Sequence, residues 1–223
     1  MINWKNLLDL FLQSNCPLCQ RFTSQELCPN CIRQLQKCHN FNTQSLPIFA
    51  WGTYGGILKR AIATMKYENH PEIARLLGEL LAQAWLSHHG YKCDRTLVVV
   101  PIPLHAHKLK QRGYNQAALI AQSFCEVTGL QLKKHGLERI KVTQAQFNLS
   151  ASEREKNLNE AFGLGKDFCQ RPKTPVLLVD DIYTTGATAR SAIQTLRKSG
   201  ISVYGLVAVA ITAKSANSEH LSP

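Results

Sequence analysis

Several features are scarce in this sequence. No stretch approaches the ~20 consecutive apolar residues that a bilayer-spanning helix needs. The apolar opening Leu7-Leu8-Asp9-Leu10-Phe11-Leu12 is broken by Asp9, with no small-residue cleavage site after it. Membrane insertion and export are therefore not expected, and a soluble cytoplasmic protein is. There is no low-complexity tract and no internal repeat beyond two cysteine pairs, and with 44% hydrophobic and 18% charged residues the collagen-like, coiled-coil and disordered classes are set aside. Acidic residues are few: 15 Asp+Glu stand against 26 Lys+Arg, a formal net charge of +11. That balance favours polyanionic partners, phosphates and nucleic acid alike. No G-x-x-x-x-G-K-[ST] occurs, so a Walker-type phosphate loop is excluded.

The 223 residues suffice for one sizeable core and at most a small accessory module. Eight cysteines are unevenly spread: five lie between Cys16 and Cys38, and only Cys93, Cys125 and Cys169 follow. Without an export signal a disulfide scaffold is disfavoured, and the cluster reads as a local metal site, the later three as small apolar core residues. Cys16-Pro-Leu-Cys19 and Cys28-Pro-Asn-Cys31, separated by eight residues, can present four thiolates tetrahedrally to one structural Zn²⁺. A redox C-x-x-C would want a single pair beside a βα unit; disulfides are the remaining alternative. Cys38 is an extra thiol with no place among four ligands. Trp4, Leu7, Leu8 and Phe11 share one helical face ahead of the cluster. The polar run Asn40 to Pro47 marks a boundary, giving a zinc module over 1–45 and a second domain over 46–223.

In the second domain Trp51-Gly-Thr-Tyr-Gly-Gly56 carries turn chemistry, a helix is expected over Ile57 to Tyr67, and another begins at Pro71 with Ile73, Leu76, Leu77, Leu80 and Leu81 in helical period. Thr96 to Pro101 is a continuous apolar run, as in a strand covered on both faces. A helical stripe through Ala117, Ala121, Phe124 and Cys125 stops at Gly129. Leu137 to Val142 reads as a second, half-exposed strand, Val176 to Val179 as a third, then a helix over Thr188 to Ser199 and a strand over Val203 to Ile211. Alternating strands and helices predict an α/β fold with a parallel sheet flanked by helices. The tail from Lys214 is polar and expected to fray.

The most informative stretch is Val176-Leu-Leu-Val-Asp180-Asp181-Ile-Tyr-Thr184-Thr185-Gly186-Ala187-Thr188. Ligands of open α/β sheets bind at such strand ends. Adjacent carboxylates can accept hydrogen bonds from a ribose diol and help place a divalent cation. The small-residue loop can wrap its N–H groups around a phosphate at a helix N-terminus. The bland alternative for Asp-Asp alone is an acidic cap on a strand-to-helix turn.

The full pattern closely resembles the PRPP-binding motif of type I phosphoribosyltransferases. The resemblance makes Asp180 and Asp181 the ribose-diol binders and Thr184, Thr185, Gly186, Ala187 and Thr188 the 5′-phosphate loop, with Mg²⁺ accompanying PRPP. It implies a pyrophosphate-contacting loop after the first core strand, where Lys108, Lys110 and Arg112 occur without an intervening acid. It also implies a mobile loop at Thr143 to Asn159, with Gln144, Arg154 and Lys156 as polar candidates; Lys108, Arg112 and Arg154 are the candidate catalytic cations. Val100-Pro-Ile-Pro-Leu-His105, Gln111-Arg-Gly-Tyr-Asn-Gln116, Thr143-Gln144 with Arg154 and Asn157-Leu158, the Asp180-Asp181 loop, Lys66-Tyr67-Glu68 and the cysteine pairs together resemble the ComF family. That resemblance covers nearly the whole chain, and implies a phosphoribosyltransferase-like fold and a role in natural competence, where incoming single-stranded DNA is handled beside a helicase-like partner.

Three functions follow as expectations. The first is transfer of the phosphoribosyl group of Mg-PRPP to a nitrogen acceptor that the sequence does not identify, since no hood for a base follows the last strand. The second is a non-catalytic, PRPP-responsive protein that binds single-stranded DNA or acts as an adaptor in DNA uptake: residues 104–156 hold nine Lys+Arg against four Glu, with Tyr114 and Phe147 as stacking groups. The third treats the zinc module as a protein-docking knuckle and the ligand site as vestigial. His105 and His107 read as a surface pair, Trp51 and Trp85 as packing residues.

Overall fold

The computed structural model describes residues 14–43, 48–89, 97–140 and 161–213. The expected helix over 2–12, the loop containing Gln144, Arg154 and Lys156, Cys93 and the tail lie outside the described residues. A short antiparallel pair, β1 (Ser14–Asn15) and β2 (Phe22–Thr23), precedes α1 (Pro29–Gln36). β3 (His39–Thr43) then lies antiparallel to β4 (Ile48–Thr53), so the chain before residue 45 already contributes a sheet strand.

Helices α2 (Gly56–Tyr67) and α3 (Glu72–His89) lead to β5 (Val98–Pro101), α4 (Ala106–Arg112) and α5 (Gln116–Thr128). After β6 (Gln131–Leu132), a small antiparallel pair is made by β7 (Leu137–Arg139) and β8 (Phe162–Leu164). β9 (Val176–Tyr183), α6 (Ala187–Lys198) and β10 (Val203–Ile211) complete the fold. The main sheet runs β3-β4-β10-β9-β5-β6, and all its pairings except β3 with β4 are parallel. The parallel α/β sheet flanked by helices is thus present.

Period-two alternation divides the sheet's side chains between two cores. Phe49, Trp51, Val99, Leu177, Val179 and Val207 face α2, α3, α5 and the cysteine segment. Ile48, Ala50, Val98, Val100, Val176 and Leu178 face α6 and the β7–β8 pair. The first layer is thick, holding α2, α3 and α5, and within it α3 and α5 cross closely: a Cβ at Gly78 would stand 2.5 Å from the Ile120 carbonyl oxygen and 2.8 Å from Ser123 Cβ. Ser123 also donates from Oγ to the Arg75 carbonyl at 2.8 Å. Trp85 sits edge-on to Phe49 at 5.4 Å and to Phe124 at 6.1 Å, the packing role expected of it.

Four local expectations change. Leu137 to Val142 does not supply the second core strand: among the described residues Leu137–Arg139 pairs with β8, apart from the main sheet, and β6 takes the place beside β5. The segment at Trp51 is a buried strand, since Ile48 to Trp51 are all at most 3% exposed. Lys108 and Arg112 stand on a helical turn instead of a loop, capped by His105 Nδ1 accepting from the His107 N–H and stopped by left-handed Gly113. Cys125 is buried as expected, but Cys169 is exposed and bonds the Lys166 carbonyl.

Candidate functional site

The carboxyl ends of β5 and β9 lie side by side, Ile102 N–H donating to the Val179 carbonyl at 2.9 Å. β9 continues through the acidic pair, so Asp180 and Asp181 leave a regular strand on opposite faces. Asp181, 4% exposed, points to the thick layer. Its Oδ2, shielded from solvent, forms an ion pair with the Lys66 ammonium from the last turn of α2, and its Oδ1 accepts from Gln116 Nε2 at 3.4 Å. Gln116 in turn accepts through Oε1 from Arg112 Nη1.

The segment Gln111 to Gln116 knits this corner together. Asn115 accepts from Ala117 N–H as the cap of α5 and donates to the Ile102 carbonyl at 3.0 Å. The Tyr114 hydroxyl donates to the Met65 carbonyl, and burial pushes its phenol up. Arg112 Cζ stands 5.7 Å from the Tyr67 ring centre. Between α2 and α4 opens a cleft of about 270 Å³ lined by Lys66, Tyr67, Asn69, Lys108, Gln111 and Arg112.

Asp180 lies in register with Ala208, on the side of the second core, and its Oδ1 accepts from the Asp181 N–H at 2.8 Å. Burial first, then the charge of Asp181, push its carboxyl well above the usual carboxylate range. The nearby Arg139 guanidinium is pulled down by burial and held up by Asp180, and it stacks 5.2 Å from the Phe162 ring centre. Beyond β9, Gly186 opens α6 at φ +73, a left-handed conformation that disfavours a side chain. A Cβ there would meet the Tyr183 hydroxyl and, at 2.8 Å, Arg190 Nη1. Arg190 Nη1 donates to the Thr185 carbonyl at 2.9 Å and Ala187 N–H to Thr185 Oγ1 at 3.4 Å, which shape the turn. Thr184 and Thr185 remain exposed at the helix N-terminus.

The cysteine segment forms a second centre. The Sγ atoms of Cys16, Cys19, Cys28 and Cys31 all lie within 4.8 Å of one another. A tetrahedral Zn²⁺ with bonds of about 2.3 Å places its sulfurs roughly 3.8 Å apart, so this donor set fits the ion. Local backbone bonds hold the knuckles: Cys19 and Gln20 N–H groups donate to the Cys16 carbonyl, and Ile32 N–H to that of Cys28. The N–H of Cys31 draws the Cys28 thiol down to about 7, whereas burial and the neighbouring sulfurs push Cys31 up. Ionised together, four sulfurs this close would repel one another, and a bound cation would relieve that repulsion. Cys38 stands apart, bonded to the Gln34 carbonyl at 3.4 Å.

The structure therefore brings Lys108 and Arg112 to the cleft beside Asp181 and places Thr184 to Thr188 directly after the same strand. Sequence reasoning gave no role to Lys66, Gln116 or Arg139. Gln116 and Lys66 carried a usable signal, since both lie in segments that carry the family resemblance; Arg139 carried none beyond its charge.

No family model matches the chain. Among curated relatives, Competence protein F of Haemophilus influenzae is 32% identical, covering 92% of this chain and 95% of that protein. DNA utilization protein YhgH of Escherichia coli is 28% identical over 83% of this chain and 85% of that one. Competence protein ComFC of Bacillus subtilis is 26% identical over 83% and 72%. Of solved structures, adenine phosphoribosyltransferase from Leishmania donovani overlaps with a TM-score of 0.42 at 16% identity, covering 89% of this chain and 79% of that one. Glutamine PRPP amidotransferase from B. subtilis overlaps at 0.38 and 18%, covering 60% and 25%. These overlaps are too loose to carry a residue correspondence. With nearly a third of its residues shared along nine-tenths of its length with Competence protein F, the chain belongs to the ComF family.

Proposed function

We propose that this protein binds Mg-PRPP at the carboxyl ends of β5 and β9, transfers its phosphoribosyl group to a nitrogen acceptor, and serves DNA uptake, as the names of its relatives suggest. The carrying observation is that one strand end holds a carboxylate pair, a glycine-opened helix N-terminus and, across Asp181, a cleft walled by Lys66, Lys108 and Arg112. The ribose diol would lie against Asp180 and Asp181, whose carboxyl oxygens can accept from its hydroxyls. The N–H groups of Thr184 to Thr188 would hold the 5′-phosphate, and Lys108 and Arg112 would meet the pyrophosphate as it departs from C1. Mg²⁺, for which the carboxylates are suitable hard ligands, would screen the pyrophosphate charge. Catalysis then consists of placement and charge stabilisation.

Calorimetric titration of the zinc-loaded protein with PRPP and Mg²⁺ tests the site. Micromolar binding that is lost in the double variant Asp180→Asn, Asp181→Asn supports it; a folded wild type that binds no PRPP refutes it.

A second reading is favoured by the exposure of α4, which buries none of its side chains and carries Lys108, Lys110 and Arg112. On this reading the helix contacts single-stranded DNA and PRPP acts as a regulator. DNA affinity that falls steeply with salt, and with neutralisation of those three residues, supports it; salt-insensitive or absent binding rejects it.

A further inference from the structure

Lys66 touches both halves of the site. Its side chain is only 16% exposed and its ammonium pairs with Asp181, whose side chain is 6% exposed. The same side chain lines the cleft with Lys108, Gln111 and Arg112. A buried ion pair is a poor source of stability, because the loss of two hydration shells roughly cancels the attraction. Here the lysine is also set in a cavity wall, where an incoming anion can reach it. Arg112 is tied to the same carboxylate through Gln116, which donates to Asp181 and accepts from Arg112. Lys66 directly and Arg112 through Gln116 are thus both tied to the acidic strand at Asp181.

We propose that Lys66 is a pyrophosphate-binding residue that serves as counter-ion to Asp181 until the ligand arrives, so that the carboxylate and the pyrophosphate group compete for one ammonium. This rests on the PRPP reading of the site. Competition has a consequence that a structural ion pair lacks: removing the charge of Asp181 strengthens pyrophosphate binding, because Lys66 no longer has to be drawn away. Release of Lys66 likewise leaves Asp181 free to accept a ribose hydroxyl, which couples the two halves of the substrate.

The test is calorimetric titration of the full, zinc-loaded chain with inorganic pyrophosphate and, separately, ribose 5-phosphate, both without Mg²⁺. Lys66→Gln is expected to weaken pyrophosphate binding about tenfold or more, the scale of one charge-assisted contact, and to change ribose 5-phosphate binding less than about twofold. Lys66→Arg recovers most of the loss. Asp181→Asn, which keeps the shape and avoids an unpaired buried carboxylate, strengthens pyrophosphate binding several-fold while weakening ribose 5-phosphate. If Lys66→Gln affects both ligands alike or neither, or if Asp181→Asn leaves pyrophosphate affinity unchanged, the ion pair is structural and the proposal falls. The two readings separate cleanly. Wild type that binds pyrophosphate competitively with Asp181 but neither ribose 5-phosphate nor PRPP refutes the PRPP reading and keeps the counter-ion. Wild type that binds PRPP with Lys66→Gln unaffected does the reverse, and wild type that binds none of the three ligands overturns both.

Discussion

The two centres of this molecule are built in opposite ways. The four cysteines come from sixteen consecutive residues, Cys16 to Cys31, and turns inside that segment aim the sulfurs. The acidic site draws Lys66 from α2, Arg112 from α4, Gln116 from α5 and Asp181 from β9, side chains that meet only when helices pack on the sheet. A centre of the first kind is set by its local turns, one of the second kind by the core. The two also touch: Leu18, Leu27 and Leu35 of the cysteine segment share a hydrophobic cluster with Leu58, Ile62 and Leu77. A disturbance of the knuckles is therefore expected to reach the main core as well.

Ways to separate the centres follow, beginning with the largest effect. Stripping the cation with a chelator, or Cys28→Ser, is expected to lower Tm by roughly 10 °C or more, because the binding free energy of a structural metal is folding free energy. A thermal melt with and without added Zn²⁺ checks this, and an unchanged Tm would mean that the four thiols hold without a cation. Gly186→Ala places a side chain at φ +73 against the Tyr183 hydroxyl and should cost about 1–3 kcal/mol of stability. It should also weaken PRPP binding at least tenfold; denaturant melts and calorimetry read the two effects separately.

A subtler distinction lies in pH. The carboxyl of Asp180 is pushed up in the folded state, so the folded protein holds a proton that the unfolded chain releases near pH ~4. Stability from this group is full below that value and is lost as pH rises toward the folded value. Asp180→Asn should flatten the decline and raise Tm by a few degrees at neutral pH, which melts between pH 4 and 8 will show. The smallest effect is expected at the exposed ion pair between the cysteine segment and α3. Arg75, 58% exposed, bonds Glu26 of the cysteine segment at 2.5 Å and Glu79 of its own helix at 3.1 Å. Exposed pairs contribute at most about 1 kcal/mol, so Arg75→Ala should leave Tm within about 3 °C, and a larger drop would show that ion pairs dock the segment.

Much of the fold was legible before the structure. The apolar runs at Val98 to Pro101 and Val203 to Ile211 and the helix ending at Gly129 read directly, because buried strands and capped helices impose local periodicities. β6 escaped notice, since two residues, Gln131 and Leu132, form no pattern. β4 was hidden by the turn-forming residues that follow it. The helical turn under Lys108 and Arg112 was hidden by its lack of any buried side chain, which leaves no amphipathic stripe to read.

By itself, the sequence determined the cysteine knuckles, the strand with its two aspartates and the glycine turn after it, since in each the chemistry and the geometry lie within a few bonds of one another. Tertiary structure alone decided that Asp180 and Asp181 face different layers with different partners, and that Lys66 closes on the second of them. Ion pairs between distant segments leave no periodic trace in a sequence; they exist only where packing of the core holds two backbones within reach of a side chain.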